Sequence, residues 1–159
     1  MGQIQFVNLD NLVSAKHIYR KFLEVLDFSI FEQFLLKVQK KESGGYGSER
    51  LFKCILLQHL EDLSDRELER FFQENLAAKW FCGFSINEKT PDHSCFGKFR
   101  DRLGVARLQE MFEALRDQLK AEGLMNEFFS VVDASHLIAK ANLWEERDKA
   151  KKLKYQKLN

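Results

Sequence analysis

Proline is almost missing from this chain, with one among 159 residues, and glycine is sparse at eight. A β-sandwich needs turn residues about every ten positions, so that architecture is disfavoured from the start. Cysteine is scarce too. Cys54, Cys82 and Cys95 are odd in number and show no Cys-x-x-Cys spacing, which argues against a disulfide framework and fits reduced thiols. Nowhere do eighteen apolar residues run together, and residues 1–10 hold no basic stretch leading into an apolar one. The reading is therefore cytoplasmic, with no membrane partner. An excess of one charge is also lacking: 25 basic and 24 acidic residues give +1, which is no global signature of a polyanion binder.

What the chain has instead is phenylalanine, fifteen of them, within 45% hydrophobic and 31% charged residues. That supports one folded core and predicts a mainly α protein packed through aromatic side chains. Charge is segregated along the chain. Residues 140–159 hold seven basic side chains against three acidic, and residues 89–107 hold five against Asp92 and Asp101, whereas residues 61–74 are acidic. Such segregation either lets one face meet phosphates or simply marks solvated helix faces.

Helical periodicity runs through most of the sequence. Leu12, Ala15, Tyr19, Phe22, Leu23 and Leu26 recur at three- and four-residue steps and predict a first helix. Ser29 and Glu32 have capping-box spacing for a second, burying Phe31, Phe34, Leu35 and Val38 and ending near Gly44. Ser48 is expected to cap a third, with Leu51, Phe52, Ile55, Leu56, His59 and Leu60 inward, and Ser64 with Glu67 opens a fourth carrying Leu68, Phe71 and Phe72. Residues 77–84 predict a short helical or turn-like piece, and residues 87–89 a loop. Thr90-Pro91-Asp92 predicts another start, with Thr90 as cap and Pro91 in the first turn. Phe96, Phe99 and Leu103 then form its apolar stripe, Gly104 ends it, and Leu108, Met111, Phe112, Leu115 and Leu119 define a last helix closed by Gly123.

After Gly123 the pattern changes. Phe128-Phe129-Ser130-Val131-Val132 is aromatic and β-branched and reads as a strand. A single strand cannot satisfy its own ladder. It can pack on the helices, pair with residues 137–143 as a hairpin, or pair with the same strand of a second molecule; the last buries the most apolar area, so self-association through this strand is expected.

Chemistry is suggested at two places. On the helix after Asp92, the residues His93, Ser94, Gly97, Lys98 and Asp101 project away from the apolar stripe, with Arg100 and Arg102 at its edges. A short polar cap, preceding short helices and a Ser/Lys/Arg face are what a helix-turn-helix reader presents to the major groove; a plain amphipathic helix has the same appearance. Asp133 ends the apolar strand, either as a carboxylate ligand for a hard metal ion or as a cap for the next segment. Cys82, His93 and Cys95 lack zinc-ligand spacing. His136 reads as a strand-end histidine, Trp80 and Trp144 as packing aromatics, and Glu145 with Glu146 as solvent-facing charges.

The ordered motifs carry more than any one of them. Residues 51–58, then Leu63-Ser64-Asp65-Arg66-Glu67-Leu68, Phe81-Cys82-Gly83-Phe84, Pro91-Asp92-His93-Ser94 with Phe99-Arg100, Gly123-Leu124 and Val132-Asp133-Ala134-Ser135 together resemble the N-terminal region of InsH-like insertion-sequence transposases. The resemblance spans roughly residues 27–152. It departs from the family pattern at Cys95, where Thr is usual, and at Gly97-Lys98, where Ser-Arg is usual.

The resemblance implies a helical DNA-binding domain over residues 1–123 with a helix-turn-helix-like segment, and over residues 124–159 the start of an RNase H-like catalytic domain with a basic tail. It implies double-stranded DNA, the terminal inverted repeats, as partner, through His93, Ser94, Lys98, Arg100 and Arg102. Asp133 matches the first acid of a DDE triad and thus a ligand for Mg²⁺ in a two-metal site. The second Asp and the Glu have no counterpart within residues 1–159, so the expectation is a truncated transposase that is inactive alone. Two alternatives stand beside it: an Mg²⁺-dependent nuclease completed by a second chain, and an interaction module that self-associates or inhibits full-length transposase.

Overall fold

A computed structural model of the chain describes residues 8–38 and 45–124. Among them stand eight α-helices and one 3₁₀ turn, with no strand. The helices are α1 (Leu9–Leu12), α2 (Ile18–Val25), α3 (Glu32–Val38), α4 (Ser48–Leu60), α5 (Asp65–Glu74), α6 (Leu76–Phe81), α7 (His93–Leu103) and α8 (Val105–Ala121). The 3₁₀ turn, Phe28–Phe31, leads into α3. The expected strand at residues 128–132, with Asp133, His136, Trp144, Glu145 and Glu146, lies outside the described residues.

α4 is the central element. Every residue from Cys54 to Leu60 on it is buried, together with Leu51 and Phe52, so the core wraps it on all sides. Phe52 is fully enclosed and meets the rings of Phe28, Phe31 and Phe112 at centroid distances of 6.3, 5.4 and 6.0 Å, edge-on or tilted as aromatic quadrupoles prefer. α3, α5 and α7 all pack against α4. The expected apolar stripe of α7, Phe96, Phe99 and Leu103, is buried as read; on α8 Leu108, Met111, Leu115 and Leu119 are buried, while Phe112, expected with them, is only partly buried.

Boundaries depart from the sequence reading where a local cap competes. The first predicted helix is two helices, because Asn8 caps α1 through Asp10 N–H and His17 caps α2 through Tyr19 N–H. Val13 between them is buried and Leu12 half-exposed, the reverse of the expected stripe. Asp27, not Ser29, caps the next segment by accepting from the Ser29 N–H, and Phe34 remains 37% exposed. Ser48 does not cap α4; it lies buried in the first turn behind Gly47, whose φ of +79° starts the helix without a side-chain cap. Thr90 and Pro91 are buried ahead of α7, and Asp92 caps it. The Ser64–Glu67 capping box is present in full.

Long-range polar contacts close the bundle. The Tyr19 hydroxyl donates to Glu61 at the end of α4, and Gln118 in the last turns of α8 holds both the N–H (2.6 Å) and the carbonyl (3.2 Å) of Asp27. The Arg50 guanidinium donates to the Gly83 carbonyl and to Glu88, 2.7 Å each, and lies 4.2 Å from the centre of the Phe84 ring. It thereby fastens residues 82–92, the connection into α7, onto α4.

Candidate nucleic-acid interface

α7 and α5 lie against each other and run in opposite senses, as their pairings show. At the start of α7, His93 Nδ1 is 2.7 Å from Glu69 Oε2, and the same oxygen accepts the His93 backbone N–H at 3.0 Å. At the start of α5, Asp65 receives both terminal nitrogens of Arg100, at 2.8 and 2.6 Å. Asp65 and Glu69 are one turn apart on α5, and His93 and Arg100 two turns apart on α7, so these ties form a seam along the helix pair.

The seam reaches the core. Gln58 of α4, 1% exposed, donates from Nε2 to Asp65 at 2.7 Å and accepts from Arg100 at 3.2 Å. Burial by itself pushes the Asp65 carboxyl up, but the hydrogen bonds and charge of Arg100, with smaller help from Gln58, outweigh it and hold it below the usual carboxylate range. Glu69 is lowered chiefly by its bond to the His93 ring, and its charge sits at the N-terminal, positive end of α7.

Beyond the seam the two helices show a polar surface. With 3.6 residues per turn, the face of α7 that continues round from His93 and Arg100 carries Gly97, then Asp101, Ser94 and Lys98; Asp101, Ser94 and Lys98 are exposed. On α5 the residues that continue round from Asp65 and Glu69 on the matching flank are Gln73, Arg66 and Arg70, also exposed. Ser94 donates its hydroxyl to the capping Asp92 at 2.6 Å, and Lys98 forms no ion pair with any described residue. Arg102 is half-buried on the far edge of α7, its guanidinium carbon 5.9 Å from the centre of the Phe99 ring.

The structure therefore brings Ser94 and Lys98 onto one face of α7, places His93 and Arg100 in the seam, and sets Arg102, half-buried, at the edge beyond Lys98. Arg66 and Arg70 did not figure among the sequence candidates. Their i, i+4 spacing beside the capping box was the available signal, masked by the acidic balance of residues 61–74. Among the described residues no group of three or more His, Cys, Asp or Glu side chains could hold a metal ion; Cys54 and Cys82 are buried, and Cys95 is half-buried. Asp133, the one expected Mg²⁺ ligand, lies outside the described residues. No described helix is long and apolar enough to cross a membrane.

Comparison with protein-family models matches residues 7–102 to the family described as Transposase domain (DUF772), a span that takes in α1 to α6, nearly all of α7, and every seam residue named above. No curated protein and no solved structure matches the chain. With more than half of its residues under that one match, the chain belongs to the DUF772 transposase-domain family.

Proposed function

We propose that this chain is the DNA-binding N-terminal part of an InsH-like DDE transposase and that it holds duplex DNA, the ends of an insertion element, against the outer surface of α5 and α7. The observation that carries the reading is the division of α7 in a transposase-family chain: Phe96, Phe99 and Leu103 anchor it in the core while Ser94 and Lys98 face outward beside Arg66 and Arg70 of the neighbouring helix. In a helix-turn-helix-like arrangement the reader helix lies in the major groove while the preceding helix crosses the phosphate backbone. Here α7 takes the first role and α5 the second; His93 and Arg102 border the contact face. The affinity is modest and mainly electrostatic, because few cations line the surface and Asp101 stands among them.

The catalytic part of the reading rests on the resemblance at residues 132–135. Asp133 is its first acid and, in a complete carboxylate set, a ligand of the Mg²⁺ ions that activate the attacking oxygen. Since one carboxylate cannot hold two metals, the 159-residue chain alone is expected to leave supercoiled plasmid intact in Mg²⁺ buffer. Cleavage abolished by Asp133→Ala would favour a nuclease instead. DNA binding is tested by fluorescence anisotropy with a mixed-sequence 30-base-pair duplex from 25 to 200 mM salt. Each phosphate contact contributes about 0.9 to the slope of log K on log salt, so Arg66→Ala with Arg70→Ala is expected to flatten it by up to roughly 2. No binding by the parent chain at the lowest salt would overturn the proposal.

A further inference from the structure

We propose that Arg100 is a positioning residue: it sets the orientation of α7 through Asp65 and Gln58 and does not itself touch DNA. The inference rests on the DNA-binding reading above and removes from the contact surface the arginine that a motif reading places there.

Three observations point the same way. The Arg100 side chain is 13% exposed and that of Asp65 28%, so the fork-to-fork pair is shielded where a DNA contact would have to be open. Both terminal nitrogens are engaged, Nη1 with Asp65 and Gln58 and Nη2 with Asp65, in the planar bidentate geometry that only guanidinium offers a carboxylate. Turning Arg100 outward to a phosphate would abandon Asp65 beside Gln58, which is itself 1% exposed, and an unpaired charge at the edge of a core is strongly disfavoured. Lys98 differs in each respect: it is exposed and has no ion pair among the described residues, and it sits two positions earlier, on a face turned away from the seam. The pair also links two of the sequence motifs, Asp65 in the fourth helix start and Arg100 after Phe99, so the two were legible as strings without their connection being visible.

The discriminating variant is Asp65→Asn, which keeps Arg100 and removes its charged partner. The full chain, its Asp65→Asn, Arg100→Gln, Arg100→Lys and Lys98→Gln variants are titrated with the same 30-base-pair duplex across salt, with thermal unfolding of each recorded in parallel. If Arg100 positions α7, Asp65→Asn and Arg100→Gln both lower Tm and both weaken DNA binding several-fold with the salt slope unchanged. Arg100→Lys, which keeps the charge without the fork, then follows them, and Lys98→Gln leaves Tm in place while flattening the slope by about 0.9. If Arg100 contacts phosphate, Asp65→Asn frees it and binding tightens or holds, and Arg100→Gln flattens the slope as Lys98→Gln does; either result overturns the inference while leaving the DNA-binding reading intact. A parent chain that binds no DNA overturns that reading and this one together, whatever the Tm values show.

Discussion

α4 and α7 pack against each other, but they divide their residues differently. α4 buries ten of thirteen residues, and its only polar residues below one tenth exposure, Ser48, Gln58 and His59, lie inside the bundle. α7 buries three of eleven. Each fully buried aromatic or aliphatic side chain contributes about 1.5–3 kcal/mol relative to exposure, so stability concentrates on α4, while α7 needs only enough anchorage to hold its outer face still. The seam of Gln58, Asp65 and Arg100 is where the two roles meet: a core glutamine of α4 touches the ion pair that orients α7.

Breaking the α4 side should have the largest effect. Phe52→Ala removes a fully enclosed ring contacted by three others, and is expected to cost about 3–5 kcal/mol in urea unfolding, enough to depopulate the native state of a marginal domain. A loss below 1 kcal/mol would show that the surrounding rings collapse into the space and that α4 is not the centre of stability.

Cutting the seam comes next. Asp65→Asn is expected to cost roughly 1–3 kcal/mol, the range for a charge-assisted hydrogen bond shielded from solvent, read as a shift of the urea midpoint with unchanged slope. The pH dependence sharpens it. The folded-state carboxyl of Asp65 lies below its ordinary 3.8, so its stabilisation is complete above that value and is lost as pH falls through the folded-state value. The stability gap between parent and Asp65→Asn should therefore be constant from pH 7 to about 5 and narrow below pH 3.8. A gap that widens on acidification would contradict the pairing.

The outer face of α7 should respond least in stability and most in binding. Lys98→Ala is expected to change unfolding free energy by no more than about 0.5 kcal/mol, as exposed positions without partners do, while weakening DNA binding at low salt. A destabilisation of several kcal/mol would mean that Lys98 is structural and that α7 has no separate outer face.

Helix content, the buried stripes of α7 and α8, the inward residues of α4 and the Ser64 capping box were legible because each rests on residues within one or two turns of one another. The misplaced starts lie within two residues of the expected ones. Ser48 and Thr90 are buried, which leaves the helix starts to Gly47 and Asp92, whereas Ser29 stays exposed and is itself held by Asp27, to which both its N–H and its hydroxyl donate. The all-round burial of α4 was only half visible, since a helix enclosed on every side loses the periodicity that reveals a one-sided face.

For the candidate interface the division is sharper. Sequence alone determined that α7 has an apolar stripe with Ser94 and Lys98 opposite it, because a helical repeat fixes which residues share a face. It also carried the transposase family in the order of its motifs. Tertiary structure alone decided that Arg100 turns inward to Asp65, 35 residues away, that His93 meets Glu69, and that α5 with its exposed Arg66 and Arg70 is the helix packed beside α7. No local spacing encodes those pairings: an arginine at the edge of a stripe can reach water, phosphate or a carboxylate, and the neighbouring helix that chance of packing places beside it settles which partner is within 3 Å.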